Sequence, residues 1–103
     1  MYFSCKVIIL GELDENIYLV LTFDAIIFFD EEFNVIERIS ISDVNTILQD
    51  HFKQNLCLIS TTKKKFLLKF DESFFKLMFF DYFSSVYYTM NGLTPDISVR
   101  GNF

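Results

Sequence analysis

Four groups of side chains in this sequence are of types that can do chemistry: one histidine, two cysteines, two acidic turns and a run of lysines. His51 is the sole histidine and lies in the polar stretch Asp50, His51, Phe52, Lys53, with no Ser or Cys nucleophile near it in sequence. A general base acts only with a partner in hydrogen-bond reach, so a solvated loop histidine is expected, and no enzyme. Cys5 and Cys57 sit inside the apolar runs CKVIIL and LCLIS. That setting favours two buried, reduced thiols, with a disulfide between neighbouring strands as the other reading. With His51 the cysteines show no metal-ligand spacing, so neither a metal nor any other cofactor is expected. Glu12, Asp14 and Glu15 form one acidic turn, and Asp30, Glu31 and Glu32 the other. They could attract a hard cation but lack the alternating spacing of a calcium loop, which leaves solvated charge. The glycines, Gly11, Gly92 and Gly101, build no phosphate cradle. Lys6, Lys63, Lys64 and Lys65 are the cations that could meet an anionic ligand.

The elements that must carry these residues read as short strands followed by one helix. Apolar, β-branched segments at 2–10, 17–22, 25–29, 35–40, 44–48, 56–60 and 65–70 are separated by turn residues roughly every ten positions. Segment 35–40, VIERIS, alternates as a half-buried strand should. Phe23-Asp24 is a tight two-residue connection, and Thr61 to Lys64 joins the last two strands as a hairpin. Ser73–Asn91 reads as a helix with Asp71 and Glu72 before it, Gly92 at its end and Pro95 beyond. At ~100° per residue, Phe75, Phe79, Tyr82, Val86 and Met90 share the stripe expected to face the core, with Met78 and Phe83 at its edges. Leu77, Phe80, Tyr87 and Tyr88 fall on the opposite side, among Lys76, Ser84 and Asn91.

Composition bounds the rest. The chain has 103 residues, 51% hydrophobic, with 14 Phe and no Trp, which suits one small domain with a real core and argues against disorder. Its net charge of −5 disfavours nucleic acid and anionic surfaces as partners, since both need a cationic face. No apolar run approaches the ~20 residues of a membrane span. Residues 1–10 lack a basic n-region and a cleavage site, so no secretory leader is expected there. The expected core is Val7, Ile9, Leu19, Leu21, Ile27, Phe29, Ile39, Leu58, Leu68, Phe79, Tyr82 and Val86, within a domain of residues 1–93 followed by a flexible tail, 94–103.

Seven strands and a capping helix in about 100 residues resemble the pleckstrin-homology (PH)-like superfold. The run YLVLTFDAIIFFDEEFNVIERISISDV, residues 18–44, is similar to that family's second to fourth strands, with a Leu-Thr turn, an aromatic third strand and an Ile-x-x-Ser-Asp-Val step. KFLLKFDESFFKLMFFDYFSSVYY, residues 65–88, resembles its last strand and helix. The resemblance implies a mainly β architecture with a C-terminal helix: a seven-stranded antiparallel sandwich or barrel, with sheets of four and three strands closed at one corner. It is nearest to short, divergent PH-like modules of unicellular eukaryotes, and implies a non-catalytic adaptor in the cytoplasm, associated with the cytoskeleton or with trafficking.

Within that resemblance, phosphoinositide binding is disfavoured. Paired cations are needed to offset several phosphate charges, and the first hairpin here carries Glu12, Asp14 and Glu15 instead. The lipid alternative therefore rests on Lys6 and the hairpin lysines Lys63, Lys64 and Lys65, which the acidic turns would partly neutralise. Protein recognition is the leading expectation, with a protein partner or a homodimer seated on Leu77, Phe80, Tyr87 and Tyr88. A second surface, carried by the resemblance alone, is the groove between the helix and the fifth strand, where strand addition takes an extended peptide.

Overall fold

A computed structural model describes residues 3–11, 16–50 and 53–100. Eight strands and one long helix follow in order: β1 (Phe3–Ile9), β2 (Asn16–Leu21), β3 (Ala25–Phe29), β4 (Val35–Ser40), β5 (Val44–Asp50), β6 (Leu56–Thr61), β7 (Lys65–Phe70), α1 (Ser73–Asn91) and β8 (Ile97–Arg100). A 3-10 turn, Ile41–Asp43, joins β4 to β5. The strands form one sheet in the order β4-β3-β2-β1-β7-β6-β5-β8. The two expected sets of strands are thus continuous through the β1–β7 pairing, and the sheet is open rather than closed into a barrel.

Alternation builds the inner face. In β1, Phe3, Cys5, Val7 and Ile9 point inward while Ser4 and Lys6 face solvent, and in β7 Phe66, Leu68 and Phe70 do the same between Lys65 and Lys69. Two strands face the other way from the expected core. The Phe23-Asp24 turn is closed by Thr22 N–H donating to Ala25 C=O at 2.8 Å, and the Thr22 hydroxyl accepts from Ala25 N–H at 3.0 Å. This turn sets Leu21 opposite Ile26 and Leu19 opposite Phe28. Residues directly opposite share a face, so Ile26 and Phe28 are buried, and Ile27 and Phe29 lie on the outer side. In β6, pairing with β7 sets Cys57 opposite Leu68 and Ile59 opposite Phe66, which turns Leu58 outward.

The helix ends at Gly92, whose φ of 70° is left-handed and whose N–H donates to Tyr88 C=O at 2.8 Å. Its N-cap is Glu72, without a side-chain hydrogen bond. Residues 94–103, expected as a flexible tail, include β8, which pairs in parallel with β5 from Ile47↔Ile97 to Asp50↔Arg100.

The buried face of α1 is Lys76, Phe79, Phe80, Phe83 and Val86, with Phe75, Met78 and Tyr87 packed against it. It is turned by roughly 60° from the stripe that helical spacing suggests, at ~100° per residue. Apolar residues occur almost all round this helix, so periodicity selects no face and the rings of the sheet do. Phe79 is fully buried, with ring centroids 6.4 Å from Phe3, 5.9 Å from Phe70, 6.0 Å from Phe80 and 5.7 Å from Phe83. Tyr82, expected in the core, instead stacks on Phe3 at 5.7 Å from the rim and is 42% exposed.

Phe79→Ala should therefore cost about 3–5 kcal/mol in urea denaturation, the range for a large buried aromatic. Tyr82→Ala, which loses mainly one ring contact, should cost about 1 kcal/mol.

Candidate functional site

One end of the sheet carries both the acidic turn at 30–32 and the lysine hairpin. β1 runs to Ile9 beside Leu68, while β7 begins at Lys65, and Tyr18 of β2 pairs with Phe29 of β3. The end of β1, the 30–34 turn and the β6–β7 tip therefore lie at one end. Residues 12–15 lie outside the described residues, as does His51. The Asp30 carboxylate organises its turn by accepting from Glu32 N–H and Asn34 N–H, each at 2.9 Å. Those bonds, Asn34's first, favour the carboxylate and hold its pKa below the usual carboxylate range. They also support Phe33, which sits at φ 64°, a left-handed conformation that costs a residue with a Cβ energy, and stacks on Tyr18 at 5.5 Å.

Among the described residues the lysines make no ion pair with Asp30, Glu31 or Glu32. Lys64 Nζ pairs with Glu37 of β4 at 3.2 Å and lies 4.9 Å from the Phe66 ring centroid. Lys63 and Lys64 line a cleft between β4 and the β6–β7 hairpin with Arg38, Glu37 and Asp43. Arg38, not singled out by sequence, is engaged with Asp24 at 3.3 Å. Three cations thus share the cleft with two carboxylates. Lys6 is elsewhere: it is mid-strand on the outer face, with Nζ 5.8 Å from the Tyr18 ring. The four lysines of the anionic-ligand alternative are not one cluster.

On α1, the expected outer quartet divides. Leu77 is 54% and Tyr88 58% exposed, whereas Phe80 is buried and Tyr87 packs against the core beside Phe83. Phe74 and Tyr82 join Leu77 and Tyr88 on the exposed arc, with Asp81, Ser85 and Thr89 between them. At its C-terminal flank an apolar cleft is lined by Phe23, Tyr82, Val86 and Met90. The exposed Phe23 at the β2–β3 tip belongs to this surface, although its sequence role as a turn residue gave no sign of it.

Lys76, placed by spacing on the solvent side, is buried, with Nζ 5.8 Å from the Phe80 ring. Its long stem makes that burial tolerable. Desolvation pushes the amine down from its ordinary value, and Cys57 and Asp50 oppose the shift. Asp50 is also buried and accepts from Lys53 N–H at 2.9 Å. Cys5 and Cys57 are free and buried, and burial pushes both thiols up to about 12, so neither is a ready thiolate at neutral pH. Among the described residues no group of His, Cys, Asp and Glu is arranged to hold a metal ion, and no helix is long and apolar enough to cross a membrane.

No family model matches the chain, and no curated protein matches it. Solved structures do. The N-terminal PH domain of human ARAP2 superposes with a TM-score of 0.71 at 12% identity, over 86% of this chain and 81% of that one. The PH domain of TgAPH superposes with a TM-score of 0.68 at 7% identity, over 86% and 84%. The chain has a PH-like fold: a mainly β domain carrying one long helix after its seventh strand.

Asp30 gives a pH test of the acidic turn. Its folded pKa lies below the unfolded one, so its stabilising contribution is complete above the ordinary carboxylate range and is lost as pH falls through the folded value. The stability difference between wild type and Asp30→Asn, followed by thermal unfolding, should shrink on acidification through that range.

Proposed function

We propose that this chain is a non-catalytic, PH-like interaction module that binds a protein through the exposed arc of α1. The observation that carries the reading is the set of four large side chains left in solvent on that arc, Phe74, Leu77, Tyr82 and Tyr88. Phe80 and Tyr87 drop out of the contact set because the core already uses them. Burying one such side chain stabilises a contact by roughly 1.5–3 kcal/mol, so a few of them support a micromolar complex after the cost of association. An adaptor of this kind would work in the cytoplasm, within a cytoskeletal or trafficking assembly. Leu77→Glu with Tyr88→Glu alters only exposed positions and should keep the wild-type unfolding midpoint. It should also lose by at least about tenfold the proteins that wild type captures from a cell extract, the equivalent of ~1.4 kcal/mol. Unchanged capture by the folded variant would remove this face from the account.

Phosphoinositide recognition is the second reading, supported by Arg38, Lys63 and Lys64 around one cleft. The ion pairs to Glu37 and Asp24 and the net charge of −5 rank it lower. Flotation with vesicles containing mono- or bis-phosphorylated inositides at physiological salt should show no headgroup-selective binding. Selective flotation abolished by Lys63→Glu with Lys64→Glu would reverse the ranking.

A further inference from the structure

β8 is set apart from the rest of the sheet. It is four residues long, lies at an edge, and makes the one parallel pairing among the described strands. Parallel pairing is slightly weaker per residue than antiparallel. Ile97 packs against the core, but Val99 is 58% exposed, so little apolar area holds the strand down. Such an element opens locally well before the domain unfolds. β5 nevertheless depends on a neighbour at this edge: Ile47 is fully buried, and its N–H donates to Asp96 C=O at 2.9 Å. Once β8 leaves, β5 presents an unpaired edge, the template onto which another strand adds.

We propose that β8 exchanges between two copies of this chain, residues 97–100 of each pairing with β5 of the other. A second copy is the occupant because the fit of this segment to this edge is already displayed within one chain. The register sets an aliphatic residue against an aliphatic one, Ile47↔Ile97, and continues through Leu48↔Ser98 and Gln49↔Val99. Exchange reproduces those pairings between chains and closes as a two-fold dimer. The balance between closed monomer and exchanged dimer is then decided by concentration and by the connector 92–96, where left-handed Gly92 reverses the chain after α1 and Pro95 stiffens the approach to β8. The arc carrying Leu77 and Tyr88 takes no part in this contact, so exchange is independent of the partner face proposed above.

The test uses the full chain with Gln49→Cys and Val99→Cys, which are register partners across β5 and β8. The native cysteines are buried and stay out of the reaction. Sedimentation of wild type over a roughly hundred-fold concentration range should show a dimer that grows with concentration. Oxidising the variant with oxidised glutathione at the dilute end should trap a monomer that no longer dimerises. Oxidation at the concentrated end should give a disulfide-linked dimer on a non-reducing gel, and Leu77→Glu with Tyr88→Glu should leave all of this unchanged. If the cysteine pair fails to fold, isotope-filtered nuclear magnetic resonance on mixed labelled and unlabelled wild type should show contacts between Ile47 and Ile97 of different copies. A monomer across the whole range, a dimer that survives oxidation at dilution, or contacts confined to one copy would each overturn the proposal.

Discussion

The docking of one phenylalanine ring between α1 and the sheet is the contact on which the rest of this molecule depends. The open sheet bends over on itself, Phe28 of β3 meeting Phe66 of β7 at 5.6 Å, and α1 completes the cover of its inner residues. Phe79 supplies it by meeting Phe3 of β1 and Phe70 of β7, two strands at the middle of the sheet. Phe80, Phe83 and Val86 extend that cover, and Phe3, Val7, Leu19, Leu68 and Phe70 are buried beneath it. Aromatic rings contribute large buried area together with preferred tilted geometries, so this cluster both stabilises the domain and fixes the rotation of the helix. What the helix shows to solvent is the remainder of that choice.

Much of this was legible in the chain. The seven strands and the bounds of α1 follow from turn residues and from the Gly92 stop, which act locally. The inward faces of β3 and β6 were not legible from their own residues, because AIIFF and LCLIS are apolar at every position or nearly so. They become readable only through their partners, since the alternating β1, β2 and β7 dictate which residues opposite them point inward. The rotation of the helix is hidden for a related reason: with apolar side chains almost all round, no stripe stands out, and spacing alone puts Phe80 and Lys76 on the solvent side although both are buried. β8 was hidden because a four-residue strand in a polar tail has no period of its own, and its partner edge lies about fifty residues earlier.

The edges explain two further features. A long unpaired strand invites association, and proteins blunt such edges with charge, bulges or cover. β4 carries Glu37 and Arg38 in ion pairs and has a bulge against β3 at Phe28/Phe29. β5 has a register shift of its own against β6, between Val44 and Thr46, and its far side is covered by β8. The two ends of the sheet thus solve one problem in different ways, by charge at β4 and by an added strand at β5.

Residue-resolved amide hydrogen exchange tests most directly whether α1 and the sheet are one cooperative structure built on Phe79. The amides of Phe79 and Phe83 in the helix, and of Cys5 and Val7 in β1, should exchange with a common free energy equal to that of global unfolding, and with a common dependence on denaturant. Helix amides that exchange far faster than those of β1 would mean the sheet stands without its cover, and would contradict the account.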